Sequence, residues 1–140
     1  MSSPNGIGWK RALVYGLGLS GRAAARWLID RGVRVEAVDR RRQAELELGD
    51  LLDEERIEAI VGAAPSARPA GIDGVVVSPG VPLDRPVLVE AQQRGVPVVA
   101  EVELAFGLLD GPVIGITGSN GKSTTTALTG RLLAGCDYPV

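Results

Sequence analysis

Two short stretches hold the residues whose types and spacing suit chemistry. The first is GITGSNGKSTTT, residues 115–126 of a 140-residue chain. Gly118 and Gly121 free backbone N–H groups to turn toward an anion, and Lys122 adds a point charge for β and γ phosphate oxygens. Ser123 adds a hydroxyl oxygen suited to Mg²⁺, and the helix expected next would place its positive dipole end at the loop. The common loop G-x-x-x-x-G-K-[ST] is not met, because Ile116 stands where its first glycine belongs. What remains is a shortened form, GSNGKST.

The second stretch is GLGLSG, residues 16–21, a G-x-G-x-x-G motif with Asp39 lying 18 residues past Gly21. Gly16 suits a tight turn, Gly18 a close backbone approach to a ligand, and Gly21 close packing of a helix on a strand. An acidic residue at that distance suits a ribose hydroxyl, in NAD or in another nucleoside, and the spacing does not choose between them. A third segment, SPG at residues 78–80, directly follows the apolar run GVVV. Arg40, Arg41 and Arg42 follow Asp39 and suit either phosphate contact or simple solvation.

These segments need elements to position them. Short apolar runs alternate with helical stretches, which predicts an α/β fold with a parallel sheet. Strands are expected at 10–15, 33–38, 74–77 and 96–100, and helices at 19–31, 86–94 and 101–109. Residues 40–64 are ambiguous, with 57–61 readable as strand or helix. After LLDGP (108–112) the pattern restarts with a strand at 113–117, the phosphate loop and a helix at 121–134. The expected organisation is a Rossmann-like domain over 1–108 and, from 109 to 140, the opening of a second, incomplete domain. In a doubly wound sheet, Gly16–Gly21, Asp39 and Ser78–Gly80 all fall at the carboxyl ends of strands, where such folds bind ligands.

Composition removes several classes. Hydrophobic residues are 45% and charged residues 23%, as in ordinary globular domains, and the net charge of −2 gives no reason to expect nucleic acid or an anionic membrane. The chain contains no histidine, so the commonest general base and transition-metal ligand are missing from it. Cys136 has no partner for an internal disulfide. No signal peptide and no apolar run of membrane-spanning length is visible, so the expected location is the cytoplasm.

VYGLGLSGRAAARWL, VVVSPGVP, GVPVVAEVEL and VIGITGSNGKSTTTAL resemble, in order and spacing, the Mur ligases of peptidoglycan synthesis. The resemblance runs over nearly the whole chain from about residue 10. GLGLSG, SPG and EVEL are most similar to the branch that adds D-glutamate. It implies an enzyme of three domains, binding the UDP part of UDP-N-acetylmuramoyl-L-alanine, then ATP, then the amino acid. ATP would turn the substrate carboxylate into an acyl phosphate, which the amine of D-glutamate would attack. Carried over by position, Gly18, Leu19 and Ser20 would lie against the nucleotide, and Asp39, Arg40 and Arg41 would contact uracil or ribose. Ser78 and Gly80 would meet the diphosphate. Gly118, Ser119, Asn120, Gly121, Lys122, Ser123 and Thr124 would hold ATP, with Mg²⁺ on the Ser123 hydroxyl. The family's remaining catalytic groups lie outside these residues, which implies an N-terminal fragment that is inactive alone. The rival reading is a regulatory Rossmann module that senses NAD or an adenine nucleotide, and it leaves the second loop without a role.

Overall fold

The computed structural model describes residues 7–62, 70–107, 109 and 111–136. The chain divides into two compact units, Met1–Leu109 and Asp110–Val140. The first contains a five-stranded sheet built from β1 (Arg11–Tyr15), β2 (Arg34–Asp39), β3 (Ile57–Val61), β4 (Gly74–Val77) and β5 (Val98–Ala100). All neighbours are parallel and the order is β3-β2-β1-β4-β5. This settles residues 57–61 as a strand, paired along β2 from Val35↔Ile57 to Asp39↔Val61.

Alternation along the strands fixes which side chains meet which layer. Ala12 and Val14 of β1, Val35 and Ala37 of β2 and Val76 of β4 pack on one side. They meet Ala25, Leu28 and Ile29 of α1 (Leu19–Asp30) and Leu104 of α3 (Glu101–Phe106). Leu13, Tyr15, Val38, Val75 and Val77 point the other way, against Val87, Leu88 and Ala91 of α2 (Pro86–Gln93). The Val-rich strands are buried on both faces, which is why they read as near-continuous apolar runs. Burying a side chain such as Leu28 or Leu88, both fully inaccessible, contributes about 1.5–3 kcal/mol.

Crossovers differ from the simple alternation of strand and helix. The described residues between β2 and β3 form two 3-10 turns, Gln43–Glu45 and Gly49–Asp53, whose flanking Leu46 and Leu48, with Leu51, fill the layer beside α1. Arg26 of α1 pairs with Asp50 and Glu54, pinning this crossover to the helix. Between β3 and β4, residues 63–69 lie outside those described. Strand β5 begins at Val98 rather than at 96, because the Val96 N–H is donated to Ala91 O at the end of α2. Helix α3 ends at Phe106, and Gly107 closes it by donating to Glu103 O.

The second unit corrects one expectation. Residues 113–117 are not a strand: no ladder partner exists for them among the described residues, and Val113 and Ile114 stand exposed. An extended segment becomes a strand only when a neighbour takes its N–H and C=O groups. Helix α4 (Lys122–Gly135) does form, with none of its residues buried. Among the described residues no helix is long and apolar enough to cross a membrane.

Candidate nucleotide cleft and phosphate loop

The strand order makes β1 the point where the chain reverses direction through the sheet, with β2 on one side and β4 on the other. At such a switch point the loops leaving adjacent strands diverge and open a crevice. A cleft of about 560 Å³ occupies that place, bounded by Tyr15, Gly16 and Gly18 at the end of β1, Asp39, Arg40 and Arg41 at the end of β2, and Ser78, Pro79 and Gly80 after β4. Ser20, Glu45 and Val81 complete it.

The glycine loop is held by contacts that leave no room for a side chain at two positions. Gly16 has φ 98° and donates its N–H to Val38 O at 2.7 Å, while its carbonyl accepts from Ser78 Oγ at 3.1 Å. A Cβ on Gly21 would lie 1.8 Å from Gly16 O and 3.0 Å from Ser78 Oγ. The motif's first and last glycines thus touch, and Ser78 ties them to β4. Helix α1 starts at Leu19 with Gly18 as its cap residue and no side-chain cap, so its first N–H groups are open to an anion.

Asp39 organises the second wall. Its Oδ2 accepts from Leu17 N at 2.7 Å and Arg41 Nη2 at 2.7 Å, and its Oδ1 from Arg41 N at 2.8 Å and Arg41 Nε at 3.0 Å. These four bonds fill the acceptor sites of a carboxylate. Burial, to 6% exposure, pushes the Asp39 carboxyl up. The Arg41 side-chain bonds, the Leu17 and Arg41 amides and the Arg41 charge outweigh that and hold it at about 2. The same pairing raises the Arg41 guanidinium further above its usual range. Asp39 is therefore a fixed anion that orients the glycine loop and Arg41 together.

Seven of the eight residues expected to hold the nucleotide line this cleft: Gly18, Ser20, Asp39, Arg40, Arg41, Ser78 and Gly80. Leu19 does not line it, standing 81% exposed at the start of α1. Tyr15, Glu45 and Val81 also form the walls and were not foreseen. Pro79 sits inside the SPG signal, whereas Glu45 comes from a stretch whose pattern carried none.

In the second unit, Gly118 and Gly121 both take positive φ, 147° and 77°, conformations that favour glycine. Helix α4 begins immediately at Lys122, with no side-chain cap. The Lys122 Nζ donates to Gly118 O at 2.6 Å and Ser119 O at 3.4 Å, so the ammonium lies over the loop. Ser119, Asn120, Ser123 and Thr124 are exposed beside it. Open amides, a helix N-terminus and an ammonium form a chemically sound cradle for phosphate.

A family model described as "Mur ligase MurD-like, N-terminal domain" matches residues 10–100. The chain belongs to this family. Two curated relatives carry the name UDP-N-acetylmuramoylalanine--D-glutamate ligase. The one from Anaeromyxobacter dehalogenans (strain 2CP-C) is 50% identical over 125 residues, covering 89% of this chain and 27% of the relative. The one from Myxococcus xanthus (strain DK1622) is 48% identical over 132 residues, covering 91% and 29%. The chain thus spans little more than a quarter of either. Among solved structures, the UDP-N-acetylmuramate-alanine ligase of Thermotoga maritima superposes with a TM-score of 0.59 at 22% identity, covering 90% of this chain and 29% of that one. A pseudomurein peptide ligase type C from Methanothermus fervidus gives 0.57 at 26% identity, covering 89% and 26%. These two support the Mur ligase-like fold. The relatives' names give no support to an NAD-sensing module.

Proposed function

We propose that this MurD-like chain is the UDP-substrate-binding portion of a UDP-N-acetylmuramoyl-L-alanine:D-glutamate ligase, with residues 1–108 as that domain and 109–140 as the opening of an ATP-binding domain. The observation that carries the reading is the cleft at the β1–β4 switch point, lined by the glycine loop, Asp39–Arg41 and Ser78–Gly80. It occurs in a chain 50% identical to a relative bearing that ligase's name.

In this reading the N–H groups at the start of α1 and at Gly80 face the diphosphate, and Arg40 and Arg41 face the nucleoside end. Leu19, exposed at the rim, offers an apolar surface to the uracil ring. Because Asp39 already holds four hydrogen bonds, it acts chiefly by setting the Leu17 amide and the Arg41 guanidinium. A direct bond to uracil or ribose requires giving one of these up. Ser78 acts in the same double way, fixing Gly16 O while bordering the diphosphate.

The second loop fits ATP and Mg²⁺ on its donor set. Gly118 to Thr124 offers amides, Lys122 a mobile ammonium, and Ser123 a hydroxyl with no hydrogen bond inside the described residues. Mg²⁺ with ATP would supply charge neutralisation and the phosphoryl group that activates the substrate carboxylate before D-glutamate attacks. Lys122 would leave the Gly118 and Ser119 carbonyls to meet phosphate oxygens, and the α4 N-terminus would share that charge. The location that goes with this chemistry is the cytoplasm.

Titration calorimetry of the 140-residue chain with UDP-N-acetylmuramoyl-L-alanine, and separately with NADH, tests the reading. The expected result is measurable UDP-sugar binding, weakened by Arg41→Ala, and no NADH binding. Binding of NADH without the UDP-sugar would overturn it.

A further inference from the structure

A second concavity of about 480 Å³ lies on the first unit, where α1 and α3 meet, adjoining the nucleotide cleft at Ser20, which lines both. Its walls are mostly apolar, including Ala23 and Trp27 of α1 with Val102, Ala105 and Leu109. Val102 and Leu109 are 69% and 59% exposed, so this is an uncovered apolar face. Set into it is Glu101, whose two carboxylate oxygens are both shielded from solvent and have no hydrogen-bond partner among the described residues. Neighbouring carboxylates are used: Glu103 caps the same helix by accepting from Ala100 N at 2.7 Å. Among the described residues, ion pairs take up Arg11, Arg22, Arg26, Arg41, Arg42 and Arg94, and none reaches Glu101.

A shielded carboxylate without a donor is costly; the N-terminal turn of α3 offsets part of that cost, and pairing with a cation would remove the rest. We propose that the α1–α3 groove is a docking site for a segment of the longer protein outside these 140 residues, one carrying an arginine or lysine flanked by apolar side chains. The cation would pair with Glu101, and the apolar neighbours would cover Trp27, Val102 and Leu109. Two observations select this occupant. The charge on the groove calls for a cation rather than a purely apolar partner. The chain spans 27–29% of relatives such as those named above, so most of the length of such a protein is available to cover the face. The proposal rests on the reading that the chain is a portion of a longer ligase, but not on which nucleotide the cleft takes, so calorimetry on the cleft and the groove test fail separately.

The test compares the 140-residue chain with the longer protein that contains it. Acrylamide quenching is read as the difference between each protein and its Trp27→Phe variant, because Trp9 also emits. Trp27 is half-buried in the short chain, with the Arg31 guanidinium over its ring, and should be further shielded in the long one. Glu101→Gln then reads the charge. In the short chain it removes an unpaired buried charge, so the melting temperature should hold or rise. In the longer protein it breaks an ion pair, and the first domain should melt lower by roughly 2–4 °C with Trp27 more open to acrylamide. Equal quenching in both proteins would overturn the proposal, as would a Glu101→Gln shift of the same sign in both. Shielding of Trp27 by dimerisation of the short chain, seen by sedimentation, would assign the groove to a second copy and also overturn it.

Discussion

At the scale of single residues, the cleft depends on two that act through others. Gly21 lies so close to Gly16 O that a Cβ there would sit 1.8 Å away. Backbone, unlike the end of a flexible side chain, cannot step aside, so Gly21→Ala should cost about 1–3 kcal/mol and weaken UDP-ligand binding. Urea denaturation and calorimetry on the same preparation would show both, and unchanged stability would mean that helix and loop are not so tightly joined. Asp39 carries a pH signature. Its carboxyl is held at about 2 against an ordinary value of 3.8, so its stabilisation is complete above pH 4 and disappears as pH falls toward 2. That amounts to about 2 kcal/mol. Asp39→Asn should therefore be less stable than the parent near neutral pH, with the gap closing between pH 4 and pH 2. A gap that stays constant over that range would mean the carboxylate is not the stabilising species. Asp73, lowered by bonds from the Arg11 and Lys10 amides, adds to the parent's acid sensitivity in the same direction.

At the scale of elements, the two units respond differently to the same kind of change. Helix α2 presses Leu88 into a fully buried position against β1 and β4. Leu88→Ala should lower the unfolding free energy by about 2–5 kcal/mol, since the sheet cannot collapse around the gap. Leu128 on α4 is 57% exposed. Leu128→Ala should change stability by under about 0.5 kcal/mol in the 140-residue chain. A matching pair of urea midpoints checks this, and a large loss at Leu128 would show that α4 has a packed face in solution. The α/β alternation, β1, β4 and the starts of α1 and α2 were legible in the sequence, because buried Val-rich runs and the glycine turn are local signals. The 113–117 segment looked equally strand-like, yet it is unpaired, because pairing depends on a neighbour that local sequence does not specify.

At the scale of the whole molecule, under the proposed function the nucleotide cleft and the phosphate loop would serve one reaction only within a longer protein. The 140-residue chain should show no ADP release with UDP-N-acetylmuramoyl-L-alanine, D-glutamate, ATP and Mg²⁺. In the longer protein, Lys122→Ala should lower the rate by on the order of 10²-fold or more, as expected when a charge aimed at a transferring phosphoryl group is lost. A coupled ADP assay reads both, and retained activity in the Lys122→Ala protein would remove that residue from the chemistry. The sequence by itself determined the chemistry on offer: glycines where backbone must approach a ligand, a lysine and hydroxyls at a helix start, an acid past the second strand, and motifs that resemble one ligase family. Only the tertiary structure decided how those groups are used. It joined Gly16, Gly21 and Ser78 across 62 residues of sequence, filled the acceptor sites of Asp39 with Arg41 and the Leu17 amide, and left Glu101 shielded with no partner among the described residues. The physical reason is that residue type and local spacing fix which groups can bond. Sheet order and helix packing fix which of them come within 3 Å of one another.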